Sequence, residues 1–111
     1  MGRSFTTVLA ALSLASTMHA GVLTAASPKK ETHTVNMEAT AFSPGTITVK
    51  AGDRVVWVNK DPFPHTATAK GVFDSGSIAP NKRWTYTAAK RGEFAYVCTL
   101  HPTMRGTLVV K

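Results

Sequence analysis

EFAYVCTLHPTMRGTLVV, residues 93–110, begins and ends as a β-strand. In its first six residues Phe94, Tyr96 and Cys98 alternate with Glu93, Ala95 and Val97, so the two aromatics and the cysteine share one face. A period of two is the period of a strand, and this row reads as its core-facing side. GTLVV, residues 106–110, is a second β-rich run. The six residues after Cys98 read as a tight loop between the two. Pro102 stiffens that loop by fixing φ and removing a donor.

Outward from this stretch no helical period follows residue 30, and short β-rich segments recur. HTVNM leads into the turn FSPG. TITVK places Ile47 and Val49 on one face. RVVWVN is almost continuously apolar, as in a central strand covered on both sides. DPFPH cannot join a regular ladder, because Pro62 and Pro64 lack donors. HTATA is a short strand, DSGS a turn or loop, and RWTYTA alternates again. Seven short strands with turns every ~8–12 residues predict an all-β fold, a Greek-key antiparallel β-sandwich.

Residues 1–26 read as a secretory signal peptide. Arg3 supplies a basic start, VLAALSLA (Val8 to Ala15) is an apolar run too short to span a bilayer, and small residues follow. Cleavage is expected after Ala26, with Ala20 as the alternative, leaving one domain over 27–111. No cysteine lies near either cut to take a lipid, so no stable membrane anchor is expected. The expected location is the periplasm. Export raises a problem, because Cys98 is the only cysteine and has no partner for an internal disulfide. It must be buried, paired between chains, or ligated.

The chain carries 13 Lys and Arg against 6 Asp and Glu, a net charge of +7, or +6 without Arg3. That excess favours acidic partners. The basic residues stand singly or in pairs, with no basic run or helix, so nucleic acid is not expected.

Cys98, His101 and Met104 recur at every third position, and three potential ligands on one short loop can converge. A fourth strong ligand is required. His19 lies in the signal segment and His33 starts the first strand. His65 follows the proline-braced loop after RVVWVN, and in a sandwich that loop and the Cys98 loop can share one end. Two imidazoles and a thiolate in a plane, with a weak axial methionine, make a type 1 blue-copper electron-transfer site. Structural zinc usually takes four strong ligands. A dinuclear centre bridged by two cysteines needs a second cysteine, and multicopper catalysis needs more histidines. A ligated thiolate is also shielded, which resolves the lone cysteine.

GDRVVWVNKDPFPH (52–65) followed by GEFAYVCTLHPTMRGTLVV (92–110) resembles the cupredoxin family, and within it the amicyanins, over roughly Phe42 to Val110. The HPxM ending, the G-x-F-x-Y-x-C approach and the two-residue gaps between successive ligands carry the resemblance. It implies one type 1 copper per chain, held by His65, Cys98, His101 and Met104. It also implies a soluble, monomeric one-electron carrier docking transiently on larger redox proteins: a dehydrogenase, cytochrome or reductase with an acidic surface. Three positions depart from the family pattern. Thr66 stands where asparagine usually ties the two ligand loops together, with Thr99 as its available partner. Leu100 and Thr103 stand where amicyanins usually have proline and an aromatic.

His101 is the expected electron port, among the apolar residues Pro64, Leu100 and Pro102. The alternative function is periplasmic copper binding and delivery. That role favours exposed methionines, whereas Met37, the only methionine outside the loop and signal segment, is expected to pack in a strand. An adhesion domain that has lost its metal is disfavoured by the intact ligand set. Enzyme activity is not expected, since no open coordination position or acid–base pair is evident.

Overall fold

Alternating burial along the chain resolves into nine strands, with no helix among the described residues. The computed structural model describes residues 29–111, together with residues 2, 4, 10, 11, 13–17 and 21. Most of the expected signal segment, and both cleavage positions at Ala20 and Ala26, lie outside the described residues. No helix among the described residues is long and apolar enough to cross a membrane.

The strands are β1 (Thr32–Glu38), β2 (Ala41–Ser43), β3 (Thr46–Val49), β4 (Arg54–Asn59), β5 (Thr68–Ala69), β6 (Phe73–Asp74), β7 (Arg83–Thr87), β8 (Gly92–Cys98) and β9 (His101–Val110). One sheet has the order β2-β1-β4-β7 and the other β3-β9-β8-β5-β6. The predicted sandwich is borne out, but its sheets are mixed rather than purely antiparallel. β1 pairs with β4 in parallel, as β3 does with β9. The cause is the crossing of β3 into the second sheet. The chain then re-enters the first sheet at β4 running the same way as β1, and parallel neighbours require such a crossover. β2 and β6 were not foreseen, being too short to show a period.

The core lies between the sheets. Trp57, Val35, Met37, Val55, Leu108 and Cys98 are fully buried, and each large apolar side chain contributes about 1.5–3 kcal/mol by leaving water. Met37 packs in the core as expected. Trp57 anchors an aromatic group, with ring centroids 5.5 Å from Tyr96, 5.4 Å from Phe73 and 5.6 Å from Trp84. Tyr96 lies across β9 opposite Gly106. A Cβ at Gly106 would fall 2.5 Å from the Tyr96 Oη, so only glycine leaves room for the ring.

The residues after Cys98 form less loop than predicted. Only Thr99 and Leu100 turn, and His101 already pairs with Cys98 as the first residue of β9. The ladder then jumps from Cys98↔His101 to Val97↔Arg105. Pro102, Thr103 and Met104 therefore bulge out between two pairings. A bulge of this kind re-aims side chains at a strand end, and Pro102 fits there because it owes the ladder no donor.

Candidate metal centre

β4 ends at Asn59, and that buried side chain shapes the next loop. Its Nδ2 donates to the carbonyls of Phe63 (2.8 Å) and Ile78 (2.9 Å), and its Oδ1 accepts the Asp61 N–H (2.9 Å). The loop carrying Pro62 and Pro64 is thus pinned without strand pairing. His65 follows, fully buried, in an isolated bridge to Ile78.

Asp61 holds the far side of the His65 ring. Its Oδ2 lies 2.7 Å from His65 Nε2. The same carboxylate accepts the N–H groups of Ala39 (2.8 Å) and Thr40 (2.9 Å). Those two residues form the β1–β2 turn with φ of 51° and 56°, a left-handed pair costing about 1–2 kcal/mol per residue in L-amino acids. The carboxylate offsets that strain by satisfying both donors. Burial pushes the Asp61 pKa up, but the His65 hydrogen bond and the Thr40 and Ala39 amides outweigh it and hold the carboxyl below its ordinary value. Asn59 and Asp61 were not singled out from the sequence. An acid four residues before a ligand histidine was the available signal.

With Nε2 donating to Asp61, His65 Nδ1 presents a lone pair to the interior of the site. It lies 3.2 Å from His101 Nδ1 and 3.7 Å from Cys98 Sγ, and His101 Nδ1 is also 3.7 Å from the sulfur. His65, Cys98 and His101 therefore come together as expected. Three electron-pair donors meeting in a largely buried space repel unless a cation or protons lie among them. The separations match those of donors about 2.0–2.3 Å from one ion, so the residues fit a metal. The Cys98 sulfur also accepts the Thr66 N–H at 3.3 Å. Met104, in the β9 bulge, is buried.

Thr66 does tie the two ligand segments. Its Oγ1 accepts the Thr99 N–H at 2.9 Å and lies 3.0 Å from Thr99 Oγ1. His101 is half-buried against Phe63, whose ring centroid is 5.4 Å from the imidazole, and the residue before it, Leu100, is exposed. Phe63 was missing from the expected apolar patch.

A second cluster, Glu31, His33 and Asp53, lies at the other end of the sandwich, where β4 begins. Asp53 works there as a structural clamp. It accepts the N–H groups of Glu31 (3.1 Å) and Lys50 (3.0 Å) and lies 2.9 Å from His33 Nε2. Chiefly through the Glu31 N–H, then His33 and the Lys50 N–H, its pKa is lowered to about 2.

Residues 4–110 match the family model described as cupredoxin-like domain. Amicyanin-alpha of Methylorubrum extorquens is 30% identical over 116 residues, covering 97% of each chain. The amicyanin of Paracoccus versutus is 32% identical over 83 residues, covering 69% of this chain but only 63% of its own length. Among solved structures, a Cu(I) amicyanin variant superposes with a TM-score of 0.69 at 27% identity, over 72% of this chain and 82% of that one.

Proposed function

This chain belongs to the cupredoxin family, and on that premise we propose that it is a type 1 copper protein carrying single electrons between larger redox proteins in the periplasm. His65, Cys98, His101 and Met104 are its copper ligands. The observation that carries this reading is the meeting of His65 Nδ1, His101 Nδ1 and Cys98 Sγ within 3.2–3.7 Å of one another. Bound copper would supply a one-electron couple, with soft sulfur suiting the cuprous state and imidazole the cupric one. The protein keeps the proton of His65 on Nε2 through Asp61, holds the sulfur with the Thr66 amide, and excludes water by burying Cys98.

His101 is the port, in an apolar patch with Phe63 and Leu100. Lys60, Lys70 and Arg105, which flank the ligand segments in sequence, are exposed. Among the described residues no Lys or Arg is engaged in an ion pair. Unpaired cations together with an apolar patch suit brief docking on an acidic partner. Copper delivery calls for a site that gives up its metal, and the fully buried Cys98 supports the carrier reading instead. Residues 1–26 direct export in this reading.

The visible spectrum of protein loaded with cupric ion tests it. An intense band near ~600 nm, from thiolate-to-copper charge transfer at a His₂Cys site, is expected. Cys98→Ser should abolish it and leave the sandwich folded. A pale protein after loading, or a band that survives the substitution, overturns the assignment.

A further inference from the structure

The tie between the ligand segments does not end at Thr66. Thr68 Oγ1 lies 3.1 Å from Thr66 Oγ1 and 3.1 Å from Asp74 Oδ1. Asp74 ends β6, is exposed, and also accepts the Gly76 N–H at 2.9 Å. A line of three hydroxyls thus runs from a surface carboxylate, through Thr68 and Thr66, to Thr99 beside Cys98.

We propose that Asp74 is a positioning residue for the metal centre. Its carboxylate holds the outer end of this hydroxyl line, which latches the His65 loop to the end of β8. A hydroxyl has one proton to give. Thr68 has two acceptors at the same 3.1 Å, Thr66 Oγ1 and Asp74 Oδ1, and shares its proton between them in a three-centre bond. The charged acceptor holds the Thr68 hydroxyl in the rotamer that reaches Thr66. The Thr66 oxygen accepts from Thr68 and from the Thr99 N–H, and its own proton goes to Thr99 Oγ1. Every group in the line is then satisfied, and each bond strengthens the next. A Thr66 side chain fixed in this way also fixes its own N–H, the donor to Cys98 Sγ. Where the family pattern has one asparagine, this chain uses four side chains and draws its anchor from the surface.

Amide hydrogen exchange in the metal-free chain tests the line directly. Thr68→Val removes one hydroxyl at similar volume and leaves the Asp74–Gly76 bond in place. Asp74→Ala removes the anchor. Both should speed exchange of the Thr99 amide roughly two- to tenfold, the range for one lost hydrogen bond. Thr68→Ser should restore the native rate, and the double variant should add little to either single one. In the copper-loaded protein both should move the reduction potential in the same direction. The proposal is overturned if neither variant changes Thr99 exchange, which ends the line at Thr66. It is equally overturned if only Asp74→Ala acts, which assigns the effect to the Gly76 turn, or if only Thr68→Val acts, which removes Asp74 from the line. The proposal takes its meaning from the copper reading, but the exchange measurement needs no metal. Either can fail alone.

Discussion

Asp61 Oδ2 and His65 Nε2 stand 2.7 Å apart, with both side chains buried. One carboxylate thereby fixes the tautomer of the histidine and holds the turn between β1 and β2. A partner of this kind orients a ligand ring and raises its basicity.

Asp61→Asn should therefore weaken metal binding about 10- to 100-fold, the usual cost of losing such a partner. It should also destabilise the metal-free fold by roughly 1–3 kcal/mol, because the Ala39 and Thr40 amides lose a charged acceptor. Chelator competition and urea unfolding measure the two effects. Unchanged affinity would show that the carboxylate serves the turn alone.

Met104→Gln should retain copper and colour while lowering the reduction potential. An amide oxygen in place of the thioether would favour the cupric state, since a weak fourth ligand tunes the potential of such sites. Voltammetry of both proteins reads the difference, and an equal potential would remove Met104 from the ligand set.

Electron transfer with an acidic partner should slow as salt rises, since exposed charges are screened beyond ~10 Å at 0.1 M. Lys60→Glu or Arg105→Glu should lower the association rate and flatten its salt dependence while leaving the potential close to native. Stopped-flow rates at several ionic strengths test this. A rate indifferent to salt would assign docking to Phe63 and Leu100 alone.

Asp53 predicts a pH dependence of stability. Its folded pKa of about 2 lies below the ordinary value of 3.8. The stabilisation is therefore complete above the ordinary value and is lost as pH falls from about 4 toward 2. Asp53→Asn should lower the melting temperature at neutral pH and narrow its gap to wild type across that window. Parallel melting curves for the two proteins would refute the clamp.

Gly106→Ala should destabilise the sandwich by about 1–3 kcal/mol through overpacking against Tyr96. Adding Tyr96→Leu should recover part of the loss, which chemical denaturation of the single and double variants would show.

The site was legible in the sequence wherever the chemistry belongs to a residue's identity. The lone cysteine, the HPxM ending and the histidine behind paired prolines named the donors, because few side chains bind a metal that needs both sulfur and imidazole. Alternation in EFAYVC and TITVK gave the strands and the inward faces of Tyr96, Cys98, Ile47 and Val49, since a period of two is local geometry. Asn59, Asp61 and Phe63 stayed silent because each acts through a loop that the alternation does not describe.

By itself the sequence determined an all-β sandwich and its four candidate ligands, through strand period, turn residues and donor chemistry that act within a few residues of chain. Tertiary structure alone decided the parallel pairing of β1 with β4, the bulge that puts Met104 inside β9, and the choice of Nδ1 as the inward nitrogen of His65. It also decided that Thr66 reaches Asp74 through Thr68. These depend on segments meeting from opposite sheets and separate loops. Only the closed sandwich determines which carboxylate, amide or hydroxyl stands within 3 Å of which partner.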